Sequence, residues 1–218
     1  MRTCLLTTMP SAAMQLIYYV QTRGFKFIDV VVGDNDSLKY HIFKEYSAVN
    51  GFNLHFVGDL NGELSLETLT KLKPDIIKIV TGTIVRCGVI NIPTLGVMNS
   101  HAAWLPDYRG TDSHFWAILT KGPQGCTEHF IDEGIDTGPI LVRRKLKLQK
   151  NDTIASILHR NHHLNKWQGV ADALEGLQSG KITPTPQQKK DGKQYFLMHP
   201  KLQDLCYRLM GESRPQHT

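Results

Sequence analysis

Short apolar runs alternate along this chain with stretches whose apolar residues recur every three or four positions, the pattern of a mostly parallel sheet with crossover helices. Strands are predicted at Thr3–Leu6, Phe27–Val32, Leu54–Val57, Ile76–Val80, about Gly96–Asn99, Cys126–Ile131 and Ile140–Leu146. Helices are predicted over about Ser11–Gln21, from a Ser37 cap to Asn50-Gly51, over Leu66–Leu72 with Ser65 as N-cap, over Thr111–Thr120 and from Thr153 to about Leu177. Gly33-Asp34-Asn35-Asp36 reads as a turn, and Pro74 marks the start of a strand. The segment Thr183-Pro184-Thr185-Pro186-Gln187-Gln188 reads as a linker into a short appendage with a helix near Leu202–Met210. The expected fold is α/β, an open, mostly parallel twisted sheet with flanking helices. A main domain over residues 1–180 precedes an appendage over 181–218.

With 218 residues, 41% hydrophobic and 21% charged, the chain has the composition of a globular domain rather than of a disordered segment or a coiled-coil rod. No apolar run reaches the length of a membrane span, and Pro10 with Thr7-Thr8 interrupts any signal-peptide core near the start. Cys4, Cys87, Cys126 and Cys206 are scattered without a CxxC pair, so free thiols and a cytoplasmic location are expected. The formal charge is +5, and residues 181–218 hold seven bases against three acids. The remainder is therefore near neutral, which argues against a broad nucleic-acid face and for small-molecule partners. The basic C-terminal segment, packed on a partner subunit, leaves a homodimer open.

Chemistry concentrates between Asn99 and Pro139. Asn99 and His101 are two apart, so in an extended segment both project to one side at a strand's C-terminal end, the edge at which open α/β sheets bind ligands. Asp136 follows in the turn-rich Asp132-Glu133-Gly134-Ile135-Asp136-Thr137-Gly138-Pro139, from which a carboxylate can fold back toward that edge.

Asn99-Ser100-His101, Leu105-Pro106-Asp107-Tyr108-Arg109-Gly110 and Asp136-Thr137-Gly138-Pro139-Ile140-Leu141, in this order and spacing, closely resemble the N10-formyltetrahydrofolate-dependent formyltransferase family. The detailed likeness covers about residues 76–150. It implies a formyltransferase-type Rossmann-like fold, a catalytic domain over 1–180, and N10-formyltetrahydrofolate as formyl donor without a metal. Asn99, His101 and Asp136 are the implied catalytic residues. Thr83, Ile84 and Val85, with Ile131, Asp132, Glu133, Gly134 and Ile135, are the implied donor-binding residues. Met9, Ser11, Tyr108 and Arg109 are the substrate-binding candidates.

The residue types suit that chemistry. A neutral amine attacks the formyl carbon, and the charge that develops on oxygen needs donors, which the Asn99 amide and an imidazole N–H of His101 can supply. The attacking nitrogen becomes cationic, and Asp136 is the acceptor for its proton. Other conspicuous residues have plainer readings. His159, His162 and His163 share helical spacing but lack nearby Cys, Asp or Glu at ligand spacing, so a polar helix face is expected rather than a metal site. Trp104, Phe115 and Trp116 are expected to pack in the core. Arg109 is divided between a salt bridge and a substrate phosphate.

Three substrate classes fall within the resemblance. Methionyl-tRNA formyltransferases carry a further β-barrel domain, whereas 38 residues follow Gly180 here. Glycinamide ribonucleotide enzymes cradle a phosphate on a glycine-rich first turn, whereas this chain has Thr7-Thr8-Met9-Pro10-Ser11-Ala12. The Gly192-Lys193-Gln194-Tyr195-Phe196 tail resembles the sugar-modifying branch, so a nucleotide-linked amino sugar is the expected substrate, glycinamide ribonucleotide the alternative, and a non-catalytic folate-binding protein a more distant one.

Overall fold

The computed structural model describes residues 1–33 and 37–215. Most of the turn expected at Gly33–Asp36, and the side chain of Ser37 expected to cap a helix, lie outside the described residues. By internal contacts the chain divides into two compact units, Met1–Asn99 and Ser100–Thr218.

In the first unit, runs such as Asp29-Val30-Val31-Val32 and Ile76-Ile77-Lys78-Ile79-Val80 are buried along their whole length, as parallel strands covered on both faces must be. Strands β1 (Thr3–Thr7), β2 (Asp29–Val32), β3 (Asn53–Phe56), β4 (Ile76–Val80) and β5 (Gly96–His101) pair in the order β3-β2-β1-β4-β5, all parallel. Strand β3 is an edge and is only partly buried. Helices α1 (Pro10–Thr22), α2 (Ser37–Asn50), α3 (Glu63–Leu72) and the single turn α4 (Cys87–Ile90) connect them. Pro10 occupies the first turn of α1, where its missing N–H costs nothing. Helix α3 begins two residues before Ser65: Gly62 is the N-cap, Glu63 favours the first turn through its charge, and Ser65 is buried inside the helix.

The order reverses between β1 and β4, which makes the gap between their C-terminal ends the switch point of this sheet. Hydroxyls close it. Thr7 Oγ1 donates to the Val80 carbonyl at 2.7 Å and accepts from the Met9 N–H at 2.8 Å, and Thr8 Oγ1 lies 2.7 Å from Thr81 Oγ1.

Strand β5 runs on to His101 in the second unit, where the order continues β5-β7-β8. The elements there are β6 (Tyr108–Gly110), α5 (Ser113–Leu119), β7 (Gly125–Phe130), β8 (Ile140–Lys145), α6 (Ile154–Arg160), a π-helical turn (Asn161–Asn165), α7 (Lys166–Gln178), β9 (Lys193–Tyr195) and α8 (Pro200–Leu209). Strands β7 and β8 are antiparallel, with a bulge between Glu128 and His129. The long helix expected from Thr153 is capped by Thr153 with Ser156, as a capping box, and is interrupted by the π turn. The interruption coincides with contacts to distant elements: Asn161 Nδ2 donates to the carbonyls of Ala102 (3.0 Å) and Gly125 (2.6 Å), and Asn165 Nδ2 to that of Arg144 (2.9 Å).

Residues after Gly180 are part of this second unit. Phe115, Ile118, Ile154, Met198 and Cys206 form one buried cluster, and the Ile154 N–H donates to Glu212 at 2.8 Å. Phe115 is core, as expected. Trp104 and Trp116 pack against Ala103, Tyr108 and Ala117. The four cysteines are free. Among the described residues no helix is long and apolar enough to cross a membrane.

Candidate active site

The second unit gathers three ionisable side chains that are distant in sequence. His101 is the last residue of β5, His129 follows the β7 bulge, and Asp136 lies in the loop that leads into β8. His101 Nδ1 is 3.3 Å from Asp136 Oδ2, and His129 Nε2 is 3.5 Å from Asp136 Oδ1. The two rings are nearly perpendicular, 6.5 Å apart. All three side chains are at most 14% exposed. A bulge adds a residue on one strand and re-aims the side chain beside it, which accounts for the direction of His129.

The loop holds Asp136 in an unusual backbone conformation, φ +53°, which residues other than glycine seldom adopt. Asp132 Oδ1 accepts from the Gly134 N–H (3.0 Å) and Thr137 Oγ1 (2.6 Å), closing the loop on itself. A Cβ on Gly138 would overlap the Phe130 carbonyl oxygen, so the Asp-Thr-Gly order also serves close packing. The Gly110 N–H donates to Asp136 Oδ2 at 2.9 Å.

Each imidazole has an acceptor at both nitrogens. His101 Nε2 is 2.7 Å from the Tyr108 carbonyl oxygen, and His129 Nδ1 is 2.8 Å from that of Phe130. A neutral imidazole has one N–H, and the tautomer decides whether it faces the carbonyl or Asp136. A ring donates to Asp136 when the facing nitrogen carries the proton, and one added proton lets it donate on both sides, to its carbonyl and to Asp136. Burial pushes the titration of His101 down, against the opposing pull of the Asp136 charge and the Tyr108 carbonyl, so its neutral form dominates. Burial works to raise the carboxyl of Asp136, yet the hydrogen bond from His129, the charges of His101 and His129, and the Gly110 N–H together hold it down at about 2.

The other expected site residues are placed as follows. Asn99 is half-buried on β5, two positions before His101. Tyr108 is buried, its hydroxyl 2.6 Å from Thr120 Oγ1 and its ring stacked on Tyr195 at 5.5 Å. Arg109 is 4% exposed and forms no salt bridge among the described residues; its Nε and Nη2 donate to Gln187 Oε1 and the Gln188 carbonyl, both at 3.1 Å. Met9 and Ser11 are exposed at the start of α1. In the first unit, Thr83 and Ile84 are exposed and Val85 is buried. The Thr83 N–H donates to Thr81 Oγ1 and the Ile84 carbonyl accepts from Asn61 Nδ2. In the second, Ile131 is half-buried, and Asp132, Glu133, Gly134 and Ile135 are exposed.

The sequence reading missed His129, whose approach depends on the β7–β8 bulge. The signal that could have exposed it is a histidine in a strand otherwise read as core. The histidines of the long helix behave differently. His159 and His163 are exposed with rings 4.8 Å apart, and burial first, then the Lys166 charge, pushes His162 down to about 4. Among the described residues no cluster of three or more His, Cys, Asp or Glu could hold a metal ion. A cleft of about 580 Å³ elsewhere in this unit is lined by Trp104, Arg143, Gln187 and neighbours, but by neither His101 nor Asp136.

Residues 58–174 match the model of the formyl transferase family. The chain is 36% identical over 124 residues to a methionyl-tRNA formyltransferase of Pelobacter propionicus, an alignment that covers 56% of this chain and 39% of that one. It spans about half or less of the length of the first such relatives. Its fold is similar to that of glycinamide ribonucleotide transformylase 1 from Symbiobacterium toebii, at 16% identity and a TM-score of 0.67, covering 86% of this chain and 95% of that one. It is also similar to the formyltransferase PseJ from Anoxybacillus kamchatkensis, solved with UDP-4,6-dideoxy-4-formamido-L-AltNAc and tetrahydrofolate, at 21% identity and a TM-score of 0.60, covering 89% and 86% of the two chains. With more than half of its length matched by the family model and the Asn-Ser-His, Leu-Pro-Asp-Tyr-Arg-Gly and Asp-Thr-Gly segments within that match, this chain belongs to the formyl transferase family.

Proposed function

We propose that this chain transfers a formyl group from N10-formyltetrahydrofolate to the primary amine of a nucleotide-linked amino sugar. The observation that carries the reaction class is the Asp136 carboxylate, held low at about 2 and set 3.3 Å and 3.5 Å from ring nitrogens of His101 and His129. The donor supplies the formyl carbon as an activated amide. Ile135, 45% exposed on the loop that carries Asp136, is an apolar surface of the kind that an aromatic ring system would cover, so this loop fits a folate.

The chain's own part is proton handling. Asp136, 3.3 Å from His101 Nδ1, accepts the proton shed by the attacking amine as the carbon–amine bond forms; the carbon–N10 bond of the donor would then break, and one proton would be returned to the departing nitrogen. The other ring nitrogen of His101, Nε2, lies 2.7 Å from the Tyr108 carbonyl oxygen. The Asn99 amide is the donor to the oxygen on which charge develops.

The sugar assignment is supported by the first turn. There the Met9 N–H is already bonded to Thr7 Oγ1 and Pro10 has none, which leaves a poor backbone cradle for a ribonucleotide phosphate. A second reading, the amino group of methionyl-tRNA, is favoured by the identity to methionyl-tRNA formyltransferases. Mass-spectrometric detection of formyl transfer across nucleotide-linked amino sugars, glycinamide ribonucleotide and methionyl-tRNA separates them. A sugar formylated fastest supports the proposal; methionyl-tRNA or glycinamide ribonucleotide formylated fastest replaces it.

A further inference from the structure

Asp136 is held by its carboxylate, but its loop must also be held by its backbone, because a left-handed residue on a short loop has alternatives open to it. That second hold comes from residues 183–188. Pro184 and Pro186 keep Thr183 and Thr185 extended. Thr185 then pairs with Ile140 through two backbone hydrogen bonds, each 2.8 Å. The segment is thus a strap laid along β8 rather than a linker, and it delivers the side chain of Gln187 to the loop.

We propose that Gln187 is a positioning residue for Asp136. Its Nε2 donates to the carbonyls of Asp136 (3.0 Å) and Gly138 (2.7 Å), on either side of Thr137. Its Oε1 accepts from Arg109 Nε at 3.1 Å. Two donors facing two carbonyls and one acceptor facing a guanidinium fix the orientation of the amide. Arg109 lies between Tyr108, whose carbonyl oxygen is 2.7 Å from His101 Nε2, and Gly110, whose N–H donates to Asp136. One side chain therefore joins the loop that carries the proton acceptor to the strand that touches both members of the His101–Asp136 pair. Gln187 lies beyond residue 174, where the match to the family model ends. Its role in turnover rests on the formyl-transfer reading; its geometric role does not.

Gln187→Met keeps the length and removes all three hydrogen bonds. Gln187→Glu keeps an acceptor for Arg109 but sets a carboxylate against two carbonyl oxygens. Both are compared with the unmodified chain by kinetics on whichever amine that chain formylates, by thermal melting, and by the ¹⁵N shifts of histidine-labelled protein at pH 7. The expected result is a kcat lowered by about 10–100-fold with KM within about three-fold, since a misplacement near 1 Å costs up to about 10². The nitrogen shifts of His101 and His129 should move while those of His159 and His163 stay, in protein that still melts cooperatively. A kcat within two-fold of the unmodified chain, or unmoved His101 and His129 shifts, overturns the proposal. If the unmodified chain formylates none of the amines, the functional reading fails, and the shifts alone decide the role of Gln187.

Discussion

Asp29 in the first unit and Asp136 in the second both lie against imidazoles, Asp29 buried and beside one, Asp136 partly buried and beside two, and their surroundings differ. Asp29, 2% exposed at the start of β2, accepts from Arg2 Nη2 at 3.0 Å and Asn53 Nδ2 at 3.1 Å, with His55 Nε2 at 3.1 Å. Burial works against its ionisation, but His55, Asn53 and Arg2 together hold it below the usual carboxylate range. Its guanidinium and amide donors carry their hydrogens at any ordinary pH, so its bonding pattern does not depend on a proton. Asp136 is also held low, but its imidazole partners each face a carbonyl as well, and one added proton lets a ring donate on both sides. A depressed carboxyl is thus common to both; what distinguishes Asp136 is that both of its ionisable partners are imidazoles.

The sharpest break of this comparison is Asp136→Asn, expected to lower kcat by about 10²–10⁴ with KM for the formyl donor nearly unchanged, as read by steady-state kinetics. Should kcat hold and only KM rise, Asp136 would serve positioning alone. His129→Gln, measured in the same way, is expected to lower kcat by about ten-fold and to move the acid limb of kcat/KM to higher pH, because the largest factor holding Asp136 ionised is removed. Asp29→Ala is expected to leave kcat of the folded protein intact while removing about 2 kcal/mol of stability, a fall of about 4–8 °C in melting temperature. A loss of turnover without a loss of melting temperature would erase the distinction between the two aspartates.

The pH dependence of stability should show both carboxylates and His101. A depressed carboxyl contributes stability above the unfolded pKa of about 4, and the contribution is lost as pH falls toward the folded value, about 2 for Asp136. His101 is also depressed, so below about pH 6.5 the unfolded chain binds a proton that the folded one refuses, and stability declines there first. Melting temperature should therefore fall from about pH 6.5 downward and continue to fall through the carboxylate range; a rise between pH 7 and 5 would contradict this. The smallest effect is expected for His55→Ala, within about 1 kcal/mol, since His55 is 30% exposed and Asp29 keeps two other donors.

That His101 and Asp136 meet was legible because their types, order and spacing are chemically unusual. The parallel strands were legible because burial on both faces leaves unbroken apolar runs, as in Ile76–Val80. His129 was not, since its direction is set by a bulge that exists only once β7 and β8 pair. Strand β9, Lys193-Gln194-Tyr195, carries no strong strand propensity, and its partner β6 is a different part of the chain. Arg109 looked like a ligand for phosphate because an arginine in a turn is ordinarily exposed; here Gln187 and Gln188 bury it. The π turn was hidden for the same reason, since it coincides with the contacts that Asn161 and Asn165 make to carbonyls in other elements.

The parallel pairing of β6 with β9 sets Tyr108 beside Lys193 and has a consequence for how the protein is made. A ribosome adding about 5–20 residues per second delivers the second strand roughly 4–17 s after the first. During that interval β6 has no strand partner, Arg109 lacks its two acceptors, and the loop around Asp136 lacks Gln187. Sheet and helices fold on the order of milliseconds to seconds once their residues emerge, so most of the second unit can collapse before the site is finished. The geometry around Asp136 is therefore completed only after residues 187–195 have emerged, and a chain stalled near Gly180 would hold the motif residues without the strap that sets them.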